Sequence, residues 1–165
     1  MKGLQETGIT EDEIPRIKEI DRKLQKYGWR AVCVKGFIPP LVFMDFQSRA
    51  ILPIAADMRS QEHLTYTPSP DIVHESAGHS PIIIDNDYSD YLQSYGSIAR
   101  KAIYSKEDID VYMAIKKLSD IKEDPNSKNI DIKNAEDSLK NAYDSIRYTS
   151  EAAMLSRMNW WTVEY

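Results

Sequence analysis

Apolar and polar positions along this chain repeat mostly at helical spacing. In residues 10–28, "TEDEIPRIKEIDRKLQKYG", Thr10 and Glu13 have capping-box spacing, and Ile14, Ile17, Leu24 and Tyr27 follow at roughly helical period. Gly28 closes that segment. "WRAVCV" and "LVFMD" are short and rich in β-branched and aromatic residues, and they flank the turn-like "KGFIPP". They predict two short strands or extended pieces. The segment from Ile51 to Met58 fits either type. Asp71 is placed to cap a helix that begins at Ile72, and Asp87 to cap the next one. In that next helix Tyr88, Tyr91, Leu92, Tyr95, Ile98, Ala99 and Ala102 repeat at three and four, as a core-facing stripe does. Ser105 and Asp108 form another cap, and Val111, Ile115, Leu118 and Ile121 share one helical face. "KEDPNSKNID" reads as a polar loop. Ala135, Leu139, Ala142, Tyr143 and Ile146 line the last helical segment, which runs on, with a possible break, into "EAAMLSRMNWWTVEY". The expected fold is predominantly α with a few short β-strands near residues 29–55, as a single domain over 1–165.

Composition bounds the function classes. The 165 residues are 42% hydrophobic, enough for one packed core. The net charge is −5 and no basic stripe stands out, so nucleic acid is a poor partner. The single cysteine, Cys33, permits no internal disulfide, fits a reducing compartment and reads as a small buried apolar residue. The N-terminus lacks the apolar stretch of a signal peptide, and no apolar run reaches membrane-spanning length. The expectation is a soluble cytoplasmic protein without a membrane or nucleic-acid partner.

The chemistry concentrates in "TPSPDIVHESAGHSP", residues 67–81. His74, Glu75 and His79 spell HExxxH, one residue longer than the HExxH of zinc proteases. On a regular helix, residues five apart diverge by roughly 140° and cannot share a metal. The helix is therefore expected to end between the histidines. Gly78 would supply the left-handed end, and Pro81 would prevent resumption. Both imidazoles could then converge. The ordinary alternatives are a buried histidine bonded to backbone and a solvent-facing Glu75.

Two histidines need a third ligand. A zinc hydrolase would add a histidine or carboxylate and leave one place for water, with Glu75 as general base. A non-haem Fe(II) oxygenase would add one carboxylate on the same octahedral face. Glu164 is notable because "NWWTVEY" surrounds it with apolar and aromatic residues, where a lone carboxylate is costly. Trp160, four residues earlier, shares its helical face.

"TPSPDIVHESAGHSP" together with "WWTVEY" resembles the pterin-dependent aromatic amino acid hydroxylases, the phenylalanine, tyrosine and tryptophan hydroxylases. The likeness extends upstream through about forty residues without a gap. It implies that His74, His79 and Glu164 are the iron ligands. Arg59 falls where the family grips the substrate carboxylate, and a guanidinium does this through two hydrogen bonds. The resemblance puts Tyr66, Thr67, Pro70 and Trp160 in the substrate pocket. It puts Gly36, Phe37, Ile38, Phe43 and Glu75 at the pterin, with Phe43 stacked on the ring. Each aromatic also has a plain core reading.

The implied activity is that of a monooxygenase acting on an aromatic amino acid ring, with phenylalanine the leading substrate. The implied cofactors are Fe(II) and a tetrahydropterin, and the implied partners are small molecules, including O₂. Three departures stand out. Asn159 occupies a position where the family usually has tyrosine. The separation of His79 from Glu164 exceeds the family's usual one, which makes residues 103–147 a candidate helical insertion. The chain also stops just after the glutamate, so the resemblance implies an incomplete catalytic domain and leaves its own activity open. Two other readings stand beside it: a zinc-dependent hydrolase using the same histidines, and a non-catalytic helical domain with a vestigial metal site.

Overall fold

The core is organised around a strand–helix–strand unit from residues 30–55. The structure is a computed structural model. It describes residues 2–10, 12–35, 38–58, 61, 70–124 and 126–164, without the side chains of Glu123 and Glu164. Strands β1 (Arg30–Val34) and β2 (Ile51–Ala55) pair in parallel, with Arg30 opposite Ile51 and Val34 opposite Ala55. Helix α3 (Pro40–Ser48) joins them, as a parallel pair requires a crossover.

The "LVFMD" segment is thus helical rather than extended. The decisive signal is Pro40 at the first helical position, where its missing N–H costs nothing and its fixed φ is already helical. α3 returns to β2 through Ala50, which takes a left-handed φ of 54°. That turn lets the Arg30 N–H reach the Ala50 carbonyl at 2.9 Å and sets the register.

α1 (Lys2–Thr7) precedes α2 (Ile17–Leu24), which ends in a 3₁₀ turn closed by Gly28 at φ 78°. The Thr10–Glu13 cap does not form. Pro15 disfavours a helical conformation at Ile14, so the helix starts later, with the Glu19 carboxylate accepting from the Arg16 N–H at 2.9 Å. Asp21 fastens α2 to β1. It accepts from Arg30 Nε at 2.8 Å, Arg30 Nη2 at 3.1 Å, the Ala31 N–H at 2.8 Å and Gln25 Nε2 at 2.9 Å. The Arg30 hydrogen bonds are the main reason its carboxyl is lowered to about 2.

Ile20, Leu24, Trp29, Leu52, Ile54, Ile83 and Leu92 form the buried centre. Trp29 is fully buried and donates its indole N–H to Ser89 Oγ at 2.6 Å, which satisfies its one polar atom. α6 (Asn86–Ala99) crosses α3 closely. A Cβ at Gly96 would run into the Met44 carbonyl and the Ser48 N–H, so only glycine allows this approach. The helix is capped by Asp85 rather than Asp87, with Tyr88 N donating to Asp85 Oδ1 at 3.0 Å. Its buried face is Ser89, Leu92, Gly96 and Ala99. Ile98 and Tyr91 of the predicted stripe stay exposed, because the helix docks through its small residues.

α7 (Lys106–Glu123) starts at the predicted Ser105–Asp108 capping box and packs chiefly on α8 (Asn129–Asp144). A break at 145–150 separates α8 from α9 (Glu151–Glu164), which packs on α3 and α6. Cys33 is exposed, contrary to its predicted burial: it shares a face of β1 with buried Ala31, and the packing that covers Ala31 does not reach it. No helix among the described residues is long and apolar enough to cross a membrane.

Candidate metal centre and ligand cleft

Asp71 starts the helix that carries the histidines. Its buried side chain accepts from the His74 N–H at 2.9 Å, as an N-cap should. The helix does not end at Gly78. It runs through α4 (Ile72–His74), widens into a π-turn over Glu75–His79, and continues as α5 (Ser80–Ile82). In the wide turn the Ser80 N–H bonds the Glu75 carbonyl five residues back, and Ser80 Oγ donates to the same carbonyl at 3.0 Å. Gly78 has no left-handed φ. Pro81 does not stop the helix either. Lacking an N–H and crowding the carbonyl four residues earlier, it accounts for the loosened turn.

The π-turn achieves what the expected helix end was meant to achieve. Residues five apart now stack on one face. His74 Nε2 and His79 Nε2 lie 2.9 Å apart, with the rings nearly perpendicular at 73°. At that distance an Nε2–H of one ring can donate to the other, the tautomers setting the direction. With both lone pairs exposed, the pair fits one cation. Taking metal–imidazole bonds of about 2.1 Å, a 2.9 Å separation subtends about 87° at the metal, the cis angle of an octahedron.

His79 is buried, and so is Glu75, whose Oε2 lies 4.0 Å from His79 Nε2. Phe43 on α3 faces the His79 ring, with centroids 6.2 Å apart. An open cleft of about 620 Å³, mouth included, joins these residues. Ile38, Phe43 and Glu75, assigned to the pterin by resemblance, line it with Pro70 and Trp160, assigned to the substrate, and with His79. The sequence reading missed Val34, Pro53, Ala55, Ser156, Asn159 and Val163 on the same wall. Ser156, Asn159, Trp160 and Val163 follow one helical face, so their spacing was the available signal.

Glu164 ends α9, one residue beyond Val163. Tyr88 Oη donates to the Thr162 carbonyl at 3.2 Å and holds this end of the helix against α6. Among the described residues no three His, Cys, Asp or Glu side chains form a metal-binding group. The Glu164 side chain, and Gly36, Phe37, Arg59, Tyr66 and Thr67, lie outside the described set.

Residues 2–110 match the family profile described as biopterin-dependent aromatic amino acid hydroxylase. The chain belongs to this family. Similar curated hydroxylases include the phenylalanine-4-hydroxylase of Pseudomonas aeruginosa, 34% identical over 109 residues, covering 66% of this chain and 41% of that protein. That of Chromobacterium violaceum is 33% identical over 103 residues, covering 62% and 35%. The chain thus spans about two fifths of the curated hydroxylases it matches. Among solved hydroxylases, the C. violaceum phenylalanine hydroxylase with bound iron(III) and oxidised 7,8-dihydrobiopterin superposes with a TM-score of 0.58 at 27% identity. That match covers 68% of this chain and 41% of that one. Phenylalanine hydroxylase from Legionella pneumophila gives 0.58 at 27% identity, covering 70% and 48%. The fold is therefore that of part of an aromatic amino acid hydroxylase catalytic domain. The family match covers the histidine segment and ends before α8 and α9.

Proposed function

We propose that this chain carries the metal and pterin site of a monooxygenase that hydroxylates the ring of an aromatic amino acid, with phenylalanine as substrate and tyrosine as product. The observation that carries the reading is the pair of histidine nitrogens 2.9 Å apart on the wall of a cleft lined by Phe43 and Glu75. Their separation suits a cis pair on an octahedral ion, which supports Fe(II) as the metal.

In this reading His74 and His79 hold the iron, and Glu164 completes the set. Phe43 offers its face to the pterin ring, and Ile38, with Gly36 and Phe37, borders the ring's edge. Buried Glu75 offers a carboxylate acceptor to the ring's polar edge. Arg59 takes the substrate carboxylate. Pro70, Trp160, Tyr66 and Thr67 hold the side chain near the metal, so that orientation replaces chance encounter. The apolar wall keeps water from the reacting ring. Iron and tetrahydropterin, when bound, supply the activation of dioxygen, and the protein supplies placement and dryness. Residues 103–147 are the proposed helical insertion, supported by the close mutual packing of α7 and α8. The cytoplasm remains the proposed compartment.

The test is an aerobic assay of the Fe(II)-loaded protein with phenylalanine, with and without tetrahydrobiopterin, reading tyrosine by chromatography. The expected result is pterin-dependent tyrosine that disappears in His74→Ala and His79→Ala. Bound iron without product from phenylalanine, tyrosine or tryptophan would overturn the reading.

A further inference from the structure

Two tyrosines of α6 reach across to the backbone of α9. Tyr88 Oη donates to the Thr162 carbonyl at 3.2 Å, and Tyr95 Oη donates to the Leu155 carbonyl at 2.9 Å. The two donors and the two acceptors have the same spacing, taken in opposite directions along the chain. The helices are therefore pinned in antiparallel register at two points. A slip or rotation of α9 would break both bonds.

The two bonds do different things. Leu155 lies inside α9, where helix geometry already gives its carbonyl an N–H partner. Tyr95 adds to a bond that exists. Thr162 lies in the last turn of α9, where carbonyls have no donor within the helix. There the Tyr88 hydroxyl supplies a donor from outside, which resists fraying. That turn also carries Glu164 and Val163, and Val163 lines the cleft with His79. Tyr88 is tied equally to the histidines. Its helix starts at the Asp85 cap, just beyond α5, so only a short stretch of packed chain separates it from His79. Its ring lines a small cavity with His79 and Val163.

We propose that Tyr88 is a positioning residue for the metal centre: its hydroxyl holds the last turn of α9 so that Glu164 meets the ion bound at His74 and His79. This rests on the function proposed above, which makes Glu164 the third ligand, and adds the residue that places it. Tyr95 pins the same pair of helices away from that turn, and so provides the matched comparison.

The test is an anaerobic cobalt(II) titration of Tyr88→Phe, Tyr95→Phe, Glu164→Ala and the combined Tyr88→Phe, Glu164→Ala variant, with melting temperatures measured alongside. Each phenylalanine keeps the ring and deletes one hydroxyl, so both single variants should melt about 3 °C lower. Glu164→Ala should lose about a hundredfold in cobalt affinity. Tyr88→Phe should lose roughly fivefold, the worth of one hydrogen bond. Tyr95→Phe should stay within about twofold, although it is destabilised as much. Once Glu164 is alanine, the Tyr88 substitution should cost no further affinity, because a hydroxyl that acts through the glutamate has nothing left to place. Three results would overturn the inference alone: an unchanged cobalt affinity in Tyr88→Phe, equal losses in the two phenylalanine variants, or an undiminished loss in the combined variant. If Glu164→Ala binds cobalt as tightly as the parent, the proposed ligand set falls and this inference falls with it.

Discussion

Loading the site with Co(II) tests the geometry that the π-turn creates. The two Nε2 atoms are 2.9 Å apart. On bonds of about 2.1 Å that distance corresponds to about 87° at the metal, whereas a tetrahedral pair would sit about 3.4 Å apart. The half-ångström difference is large for rings held in a buried helix turn. Cobalt(II) reports the result optically: six-coordinate sites give weak pink bands, and tetrahedral sites give intense blue ones. The expected outcome of an anaerobic titration is the weak spectrum, with one equivalent bound. Loss of an outer partner of a metal ligand alone costs roughly 10–100-fold in affinity. Removing a ligand outright, as in His74→Ala or His79→Ala, should therefore exceed about a hundredfold. An intense blue complex would refute the octahedral reading and favour a zinc-like site. Unchanged cobalt affinity in both histidine variants would refute the site itself.

Three stability measurements probe the scaffold beneath the site. Ala50→Gly should raise the urea midpoint, because it relieves a left-handed alanine at a cost in chain entropy, for a net gain of up to about 1 kcal/mol; a loss would show that the Ala50 methyl packs more than it strains. Gly96→Ala should cost about 2–3 kcal/mol by forcing α3 and α6 apart, and it should weaken pterin binding because Phe43 rides on α3; a variant as stable as the parent would disprove the close crossing. Asp21→Asn should cost about 1 kcal/mol at neutral pH, a figure discounted for the exposure of Arg30. The folded carboxyl sits at about 2, below its ordinary 3.8, so its contribution is present above pH 4 and is lost as pH falls toward 2. The acid limb of the stability curve should flatten over that window in the asparagine variant, and an unchanged limb would remove Asp21 from the account.

Local signals carried much of the fold. Gly28, Asp71 and the Ser105–Asp108 box each closed or opened an element where the sequence placed it, because each acts on backbone groups within one turn. The errors came where local preference met a tertiary or steric demand. "LVFMD" has strand composition, yet it folds as the crossover helix that a parallel pair must have. Asp85 and Asp87 are both competent caps, and sequence alone offers no way to rank them. The α6 stripe was read from bulk, but a helix that crosses α3 at Gly96 buries its small residues and leaves Ile98 in solvent. Residue type alone favours burial of the lone cysteine, yet it is exposed on the strand face that buries Ala31, because cover over that face stops short of it.

The site was legible in its members more than in its geometry. His74, His79, Glu75 and Phe43 were named from the sequence, and the structure brings them together. The means is less legible, because a five-residue spacing fails only on a regular helix. Two solutions put such residues on one side: ending the helix or widening it. Gly78 suggested the first. Pro81 fits either, since a proline inside a continuing helix perturbs the turn before it, and that turn is where the two histidines lie. Widening also keeps Glu75 and Ser80 in one hydrogen-bonded unit with the histidines. An unwound loop would leave His79 free to swing, whereas the π-turn fixes both nitrogens before any metal arrives. The extra residue in HExxxH thus converts a helix face suited to a tetrahedral ion into a cis pair suited to an octahedral one.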